Sequence, residues 1–588
     1  MVGKVRVLGL VGLTHDSGLA LLDDGLPVVV LEEERLNREK RTKAFPTQSL
    51  LAALGPDLRD LDSIDVIATP WDVGRLRLSF GKAILKGLPA SLALLLERSH
   101  TPQRNEIVLL NQYLRRRLKR LSGRASVPRI VNVGHHDSHA AVFFVSPFEE
   151  ASVLVMDGFG DDSATSVYTG DHRGLKRRSR TDIFNSIGIV YTVVTEYLGF
   201  GGFSDEGKVM ALAAYGDDSL VAKFRELIRL EPDGQYRVDM SYFDFARYGE
   251  LRPMTRKFYE AFGPARARGE PLSDRHRAVA RALQVVTEEA VLHIVRSLER
   301  LSPSRNLILS GGVALNCVAN GRVLEETLFE RVWVPPCASD TGAPLGAALW
   351  HYHQTLGQPR RFEMIHPYYG LGYDADAIGE ALRSAGLPIE RLDGATLVDR
   401  VAHDLAAGKI VGWFQGRFEI GPRALGNRSI LADPRRSSMR ETINSKIKHR
   451  ESFRPFAPAV LEDRAAEIFD VSQPDPFMTL APRVHADWIT RIPAAVHIDG
   501  TGRIQTVRRE ANERYYDLIA RFGELTGVPV LLNTSFNHHE PIVATPAEAI
   551  ACYQRTGMDV LVLGDCYVAR TPADAALPAE RSAETAGR

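Results

Sequence analysis

Two histidines that lie four positions apart, His135 and His139, are the side chains of this sequence best suited to bind one metal ion together. They follow a β-like run at residues 128–133 and precede small and apolar residues that can start a helix. Positions i and i+4 share one face of a helix, so both imidazoles can reach the same ion. A pair of this spacing also occurs in solvated or core-capping roles, so further ligands have to decide between the two interpretations.

Carboxylates come directly after three other strand-like runs, in turns that contain glycine. These turns occupy residues 12–18, 157–162 and 335–342, and Asp157 and Asp340 lie in the second and third of them. Strand ends beside glycines, where the backbone can approach a ligand, are the usual place for polar sites in α/β sheets. Together with the histidine pair, the turns predict a metal site with mixed nitrogen and oxygen ligands.

A fourth turn, at residues 310–316, passes from a strand through Gly311 and Gly312 into a helix. Because the first N–H groups of a helix favour a phosphate, this turn is suited to a nucleotide. The strand and hairpin pattern of residues 5–31 recurs at residues 152–171. Two such units predict a duplicated α/β fold, as in actin, the sugar kinases and the heat-shock-protein ATPases.

The composition indicates a soluble enzyme. The chain has 588 residues, of which 44% are hydrophobic and 25% charged, and this length predicts at least two domains. The formal net charge is zero, so nucleic acid is not expected as a partner. The four cysteines show no CxxC spacing, which is typical of a reducing compartment. With no membrane-spanning stretch and no signal-peptide pattern, we expect a cytoplasmic protein that does not bind membranes.

Changes in pattern divide the chain into four regions. We predict a first α/β domain at residues 1–355, a linker at 356–366, a second α/β domain at 367–570 and a disordered tail at 571–588. The apolar periodicity of residues 278–301 predicts a long helix in the first domain.

Basic side chains are concentrated in the second predicted domain, where glycine, proline and phenylalanine separate them. Arginine forks and lysine point charges beside small hydroxyl and amide groups suit a small phosphorylated anion. A solvated surface is the other interpretation of such a charge run, and the interleaved apolar residues favour a pocket. A strand predicted at residues 528–532 precedes the last three members of the predicted binding set, which is Arg417, Arg423, Arg428, Lys448, Arg450, Arg454, Asn533, Ser535 and Asn537.

Several separated motifs are shared with one known enzyme family. They lie at residues 33–38, 45–46, 135–140, 157–158, 206–210, 310–313, 340–342, 421–426, 453–458 and 533–537. On these motifs the chain resembles, over nearly its full length, the ATP-dependent O-carbamoyltransferases typified by the nodulation, cephamycin and tobramycin carbamoylation enzymes. The resemblance implies a first domain like the tRNA threonylcarbamoyl transferases, with a duplicated actin and sugar-kinase-like ATPase fold. It implies a second α/β domain like the threonylcarbamoyl-adenylate synthases.

The resemblance also implies a two-step reaction that is divided between the domains. Carbamoyl phosphate and ATP, with Mg²⁺ as a further candidate ion, give carbamoyl adenylate in the second domain. A hydroxyl of a small molecule then takes the carbamoyl group in the first domain, with His15 as general base. The metal, expected to be iron, would be held by His135, His139, Asp157 and Asp340. The nucleotide would be held by Gly158, Lys208, Gly311, Gly312 and Asn316.

The acceptor is the least defined part of the implied reaction. An antibiotic-like secondary metabolite is expected from the resemblance. Residues 70–126 either line its entrance or form an amphipathic packing helix. The oligomeric state stays open, a homodimer included.

Three other classes of protein share parts of this pattern. A sugar kinase would share the duplicated lobes but needs neither the histidine pair nor an arginine-rich second domain. A tRNA-modifying enzyme would use the same chemistry in its first domain, and the zero net charge argues against it. A scaffold protein needs none of the metal, nucleotide and anion motifs. Pyrophosphate release from ATP that depends on carbamoyl phosphate separates these classes.

Overall fold

The computed structural model describes residues 4–89, 109–245 and 253–570. The chain divides into two compact units. Unit 1 consists of Met1–Ile365, Ile420–Pro422 and Thr479–Ala481, and unit 2 of His366–Glu419, Arg423–Met478 and Pro482–Arg588. The predicted tail at 571–588 and the middle of the 70–126 region lie outside the described residues. Within the described ranges, no helix is long and apolar enough to cross a membrane.

Two five-stranded sheets with the same strand order form the framework of unit 1. The strands are β1 (Arg6–Val11), β2 (Gly18–Asp23), β3 (Leu26–Glu32), β4 (Val66–Thr69), β5 (Arg129–Asn132), β6 (Ala151–Met156), β7 (Thr165–Asp171), β8 (Gly174–Thr181), β9 (Ile228–Leu230), β10 (Tyr236–Val238), β11 (Asn306–Ser310) and β12 (Arg331–Trp333). The first sheet has the order β3-β2-β1-β4-β5 and the second the order β8-β7-β6-β11-β12, while β9 pairs with β10.

The direction of the strands repeats as well as their order. In the first sheet β1 is antiparallel to β2 and parallel to β4, and in the second β6 is antiparallel to β7 and parallel to β11. This repeat confirms the predicted duplication and the actin and sugar-kinase-like architecture of the first part of the chain. The central strands β1 and β6 are buried along almost their whole length, which is why both are continuous apolar runs rather than alternating ones.

Helices pack around these sheets. The α-helices of unit 1 are Glu33–Asn37, Thr47–Leu54, Val73–Gly87, Leu110–Ser122, His135–Ala140, Ile187–Tyr197, Glu206–Ala213, Val221–Phe224, Arg256–Phe262, Asp274–Leu298, Cys317–Glu326 and Ala343–Leu349. The long helix predicted at 278–301 is the helix Asp274–Leu298, which begins earlier because Ser273 and His276 form a capping box.

The described part of the 70–126 region contains an amphipathic packing helix. In Leu110–Ser122, the side chains of Leu110, Leu114 and Leu118 recur at helical spacing and are buried. This helix therefore matches the second of the two interpretations of the region. Residues 90–108, between it and the helix Val73–Gly87, lie outside the described residues.

One eight-stranded sheet, of order β13-β20-β19-β14-β15-β18-β16-β17, forms the framework of unit 2. Its strands are β13 (Glu390–Arg391), β14 (Val411–Phe414), β15 (Arg428–Ala432), β16 (Ala457–Leu461), β17 (Gln505–Val507), β18 (Val530–Ser535), β19 (Val560–Leu563) and β20 (Cys566–Ala569). Its α-helices are Ala375–Ser384, Gly394–Ala406, Ser438–Ile443, Ala465–Ile468, Ala486–Ile489, Glu513–Thr526 and Pro546–Arg555. Residues 356–374, which precede the first of these helices, contain no helix or strand.

A separate hydrophobic core lies on each face of this sheet. Successive strand residues point to opposite faces, so Phe414 contributes to one core and Trp413 to the other. Side chains of the helices Ala375–Ser384 and Pro546–Arg555 belong to the core of Phe414, and those of Gly394–Ala406 and Glu513–Thr526 to the core of Trp413. The predicted α/β class of the second part of the chain is confirmed.

The strand predicted at residues 528–532 is wrong at its C-terminal end, because β18 continues to Ser535. The polar residues Asn533 and Ser535 pair with Leu431 and Ser429 of the antiparallel strand β15. These two residues therefore lie within a strand rather than in the turn that follows it. A ladder of backbone hydrogen bonds does not require apolar side chains, so the run of apolar residues in the sequence ends before the strand does.

Candidate functional site

The four predicted metal ligands converge in unit 1. His135 and His139 lie on one face of the helix His135–Ala140, as their spacing predicts. Asp157 follows β6 directly, and Asp340 opens the short 3-10 turn Asp340–Gly342 beyond β12. One ligand atom from each of the four lies within 4.8 Å of the others, and among the described residues no other histidine, cysteine or acidic cluster has this geometry. Two separate strand ends and one helix therefore build a single site.

The distances in this site fit a cation. His135 Nε2 lies 3.3 Å from His139 Nε2 and 3.0 Å from Asp157 Oδ2, and His139 Nε2 lies 3.3 Å from Asp340 Oδ1. Atoms about 2.1 Å from a shared ion lie about 3.0–3.4 Å apart in tetrahedral or octahedral geometry. His135 Nδ1 donates to the carbonyl of Pro70 at 3.2 Å, which leaves the Nε2 lone pair for the ion. Two imidazoles and two carboxylates form a donor set suited to iron, zinc or manganese.

The charges in the site show the same preference for a cation. Burial opposes a charged imidazole, yet the carboxylates of Asp340 and Asp157 raise the pKa of His135 well above its ordinary value. The same pairing holds the pKa of Asp157 well below its ordinary value, although burial opposes it. Two buried carboxylates thus gain their compensating charge from protons on the imidazoles. A divalent ion can supply that charge instead.

Sequence reasoning missed the residues that support these ligands. Asp161 Oδ2 accepts a hydrogen bond of 2.7 Å from the His135 backbone N–H, at a helix start where Gly134 provides no side-chain cap. Burial raises the pKa of Asp161 to about 7. The indole of Trp71 stacks on the His135 ring with a centroid distance of 4.2 Å. Asp161 belongs to the acidic turn noted in the sequence, whereas nothing in the sequence pattern connects Trp71 to the site.

His136, the middle histidine of the motif, does not join the ligand set. Its Nδ1 lies 2.8 Å from Ser166 Oγ in strand β7, so the ring is directed away from the metal ligands. Burial, together with the charge of His135, lowers the pKa of His136 well below its ordinary value. A neutral, buried imidazole at this position packs the ligand helix against the second sheet.

His15 lies beside the ligand cluster, in the turn after β1. Its Nδ1 is 3.2 Å from Asp16 Oδ2 and 3.8 Å from Asp340 Oδ2. Burial opposes the charge, but the hydrogen bond that His15 donates to Asp16 and the charge of Asp340 raise the pKa of His15 to about 9. Without an ion, His15 is therefore protonated at neutral pH. A cation bound to Asp340 cancels part of the negative charge that holds this proton.

The residues predicted to bind a nucleotide differ from one another in the groups that they contact. Gly311 has φ 88°, and a Cβ there would collide with the carbonyl of Met156, so the close approach of the turn to β6 requires glycine. The Gly312 N–H donates to Asp157 Oδ1 at 3.0 Å, which orients a metal ligand. Asn316 caps the helix Cys317–Glu326 through the Ala319 N–H.

Lys208 and Gly158 are two further members of the set predicted to bind a nucleotide. Lys208 lies in the helix Glu206–Ala213. It forms an ion pair of 3.1 Å with Asp205, the residue just before this helix. Gly158 directly follows the ligand Asp157, and a Cβ at this position would lie 3.4 Å from Ile189 Cδ1. Asn316 also exchanges two hydrogen bonds of 3.0 Å with Gln284. The structure thus gives Asn316 a packing role and keeps Gly158 at the metal site.

In unit 2, three of the predicted anion-binding residues meet at one point. Lys448 is buried, and its Nζ donates to Asn537 Oδ1 at 2.7 Å and to Ser535 Oγ at 3.3 Å. Ser535 Oγ in turn donates to Asn537 Oδ1 at 2.8 Å. The buried ammonium group of Lys448 thus donates to side-chain oxygens of β18 and of the turn that follows it.

Arg450 and Arg454, two further residues of the predicted set, lie close to a third arginine that was missed in the sequence, Arg503. Burial and the neighbouring guanidinium groups of Arg454 and Arg503 lower the pKa of Arg450 to about 9. Arg450 lies over the Phe456 ring at 4.4 Å and donates to Asn444 Oδ1 at 2.8 Å. Glu451 lies 3.8 Å from Arg454, and its charge opposes the lowering of the Arg450 pKa. Such an excess of positive charge in a buried place favours an anion, and Arg503 escaped prediction because it lies just before β17, far along the chain.

Four other residues of the predicted set have different surroundings. Arg428 is fully buried, stacks on Phe414 at 3.5 Å and donates to the carbonyl of Gln415 at 2.6 Å. Arg417 donates to the carbonyls of residues 370 and 369, and Asn533 to Gln505 Oε1 at 2.9 Å. Arg423 is half-buried. Arg428 and Arg417 thus donate to backbone carbonyls, and Asn533 donates to the side chain of Gln505.

Comparison with known families decides the class of protein. The family described as Carbamoyltransferase N-terminus matches residues 6–349, and the family described as Carbamoyltransferase C-terminus matches residues 402–570. The chain belongs to the carbamoyltransferase family. The four candidate metal ligands and His15 of this carbamoyltransferase lie in the first matched region, and the basic residues of unit 2 lie in the second.

Relatives of this carbamoyltransferase extend over most of its length. The chain is 38% identical to the uncharacterized protein sll1178 of Synechocystis sp., over 96% of this chain and 97% of the relative. It is 37% identical to the nodulation protein NolNO of Sinorhizobium fredii, over 95% of this chain and 79% of the relative. It is 30% identical to nodulation protein U of the same species, over 91% and 94%. The resemblance inferred from the motifs is confirmed, and the protein is a transferase.

Proposed function

We propose that this carbamoyltransferase forms carbamoyl adenylate from carbamoyl phosphate and ATP and then transfers the carbamoyl group to a hydroxyl of a small-molecule natural product. The observation that supports this division most directly is that one chain contains a cation site in unit 1 and a buried cationic site in unit 2. One water is consumed in the first step, so that carbamoyl phosphate, water and ATP give carbamoyl adenylate, phosphate and pyrophosphate.

The basic cluster of unit 2 supplies the first step. Lys448 and Arg450 hold the phosphate of carbamoyl phosphate, because a buried ammonium group and a partly buried guanidinium group are strong hydrogen-bond donors to a phosphate anion. Arg454 and Arg503 strengthen the local positive potential and favour the approach of a second anion, the triphosphate of ATP. Ser535 and Asn537 orient the Lys448 ammonium group through their oxygens.

The ligand cluster of unit 1 supplies the second step. An iron or another divalent ion held by His135, His139, Asp157 and Asp340 would stabilise the negative charge that develops on the departing phosphate group of the adenylate. The turn at Gly311 and the side chain of Lys208 hold the nucleotide next to these ligands.

His15 takes the proton of the acceptor hydroxyl. Its Nδ1 is engaged with Asp16 at 3.2 Å, which leaves Nε2 to accept a proton. An alcohol is a weak nucleophile at neutral pH, so removal of its proton in the transition state accelerates attack on the carbamoyl carbon. The acceptor oxygen forms the new C–O bond, the bond to the phosphate oxygen breaks, and AMP leaves.

The products formed from ATP test this proposal. Purified enzyme loaded with Fe²⁺ under anaerobic conditions is incubated with ATP, Mg²⁺ and carbamoyl phosphate, and the nucleotides are separated by chromatography. We expect pyrophosphate and AMP that depend on carbamoyl phosphate, and mass spectrometry of candidate acceptors should find the gain of one carbamoyl unit. Formation of ADP instead of AMP would identify a kinase and overturn the proposal.

A further inference from the structure

Phe203 has a backbone conformation that a bulky side chain adopts only at an energetic cost. Its φ is 56°, in the left-handed region that favours glycine. The Glu206 carboxylate accepts a hydrogen bond of 2.6 Å from the Phe203 N–H and one of 2.9 Å from Thr192 Oγ1, so the turn is held from two sides. Strained residues persist where the surrounding structure fixes them, and they concentrate at functional sites.

This turn places the Phe203 ring against the transfer site of unit 1. The ring centroid lies 5.5 Å from that of His15, with 34° between the ring planes. A Cβ built on Gly158, the residue after the ligand Asp157, would lie 3.8 Å from Phe203 Cε1. The side chain of His15 is 34% exposed, so its imidazole is partly open to solvent and partly covered by this ring. Phe203 is thus an apolar wall of the space in which His15 acts.

We infer that the Phe203 ring keeps water away from the carbamoyl group beside His15, an inference that rests on the proposed function. Carbamoyl adenylate reacts with water by the same route as with an acceptor. The water oxygen forms a bond to the carbamoyl carbon, the bond to the phosphate oxygen breaks, and carbamate and AMP leave. Enzymes with reactive intermediates exclude water to prevent this loss. An aromatic ring suits that task because it offers water no strong hydrogen bond.

The substitution Phe203→Gly tests this role without adding backbone strain. Glycine adopts a φ of 56° readily, so the variant removes the ring and relieves the strain together. The holoenzyme is incubated with ATP, Mg²⁺ and carbamoyl phosphate in the absence of any acceptor, and pyrophosphate and AMP are measured separately. We expect pyrophosphate formation in the first turnover to stay at the wild-type level. Release of AMP should rise about tenfold or more, because water now reaches the adenylate.

Two matched variants complete the experiment. Asp233 has the same φ of 56° in an exposed turn, so Asp233→Gly relieves an equal strain and should leave AMP release at the wild-type rate. Phe203→Tyr retains the ring and should stay within a few-fold of the wild type. Wild-type AMP release by Phe203→Gly, with normal pyrophosphate formation, would overturn the inference. Absence of pyrophosphate with the wild-type enzyme would instead overturn the proposed function beneath it.

Discussion

At the scale of single residues, the sequence pattern agrees with the convergence of the four candidate metal ligands, while their binding of a metal stays a prediction. His135 and His139 have a spacing that places both on one face of a helix, and the two aspartates each follow an apolar strand. Patterns of this kind depend on residues that are close in sequence, so they can be recognised without knowledge of the tertiary structure. The supporting contacts of Asp161 and Trp71 depend on which elements become neighbours in space, so no local pattern reveals them.

The first prediction concerns protons in the metal site. The carboxylates of Asp340 and Asp157 raise the pKa of His135 against the effect of burial, so the metal-free site carries a proton at neutral pH. A cation must displace it, and we therefore expect binding of Fe²⁺ to release about one proton and to weaken as the pH falls. Anaerobic calorimetry in two buffers of different ionisation enthalpy measures this release.

The control for proton release is His139→Ala, which removes one ligand and should abolish most of the binding heat. His403→Ala, on a partly exposed helix of unit 2, should bind Fe²⁺ as the wild type does. Full metal occupancy of His139→Ala would contradict the assigned ligand set. Binding of Fe²⁺ by the wild type that does not change over about two pH units around neutrality would contradict it as well.

The second prediction concerns His15. Asparagine is similar in size and keeps a polar contact to Asp16, but it cannot take the acceptor proton. His15→Asn should slow carbamoyl transfer by roughly 10²- to 10⁴-fold, the usual scale for loss of a general base, while adenylate formation continues. Single-turnover assays compare the two steps. Equal loss of both would assign His15 a role in folding or nucleotide binding, and unimpaired transfer would remove it as the base.

At the scale of elements, the helix Ala343–Leu349 joins the parts that carry the ligands. A Cβ on Gly9 of β1 would collide with the carbonyl of Pro344 in this helix. A Cβ on Gly346 would collide with the carbonyl of Ser138, in the helix of the two histidines. The backbone of this helix is therefore in close contact with the backbone of β1 on one side and with that of the histidine helix on the other. The sequence gives the glycines but not their partners, because the contacts join segments more than a hundred residues apart.

The third prediction follows from this packing. Gly346→Ala forces the ligand helix away from its support, and overpacking of this kind costs about 1–3 kcal/mol of unfolding free energy. We also expect weaker metal binding, because His135 and His139 move with the displaced helix. Urea denaturation and metal titration measure the two effects.

Gly81→Ala is the matched control for this substitution. Gly81 also lies within a helix, Val73–Gly87, but its added Cβ would meet no atom within 4 Å. Glycine is a poor helix former, so alanine at this position should raise stability by roughly 0.5–1 kcal/mol. Equal stability changes in Gly346→Ala and Gly81→Ala would show that the contact with Ser138 does not support the site.

At the scale of the whole molecule, the duplication in the first part of the chain was predictable because it arises from a repeated pattern in sequence. The repeat of hairpins predicts two sheets with the same order, which the structure confirms. The role of each arginine was not predictable. Arg428 and Arg450 belong to one basic pattern, but Arg428 donates to backbone carbonyls while Arg450 lies among other guanidinium groups. Their surroundings depend on residues elsewhere in the chain, Phe414 for Arg428 and Arg503 for Arg450, and charge patterns do not reveal these neighbours.

The central claim, that the two units carry different steps, makes a prediction about Arg454. This residue contributes to the positive cluster beside Arg450 in unit 2, outside the metal site of unit 1. Arg454→Ala should abolish formation of carbamoyl adenylate, because the positive potential that favours the approach of the ATP triphosphate is lost. The metal content should stay at the wild-type level, and His139→Ala should show the opposite pattern, with adenylate formation retained and transfer lost.

The most direct measurement supplies chemically prepared carbamoyl adenylate to Arg454→Ala together with an acceptor identified by mass spectrometry. This variant should be inactive with ATP and carbamoyl phosphate. We predict that it carbamoylates the acceptor at close to the wild-type rate when carbamoyl adenylate is provided. Failure of the folded, metal-loaded variant to transfer from the supplied intermediate would contradict the assignment of the two steps to two separate sites.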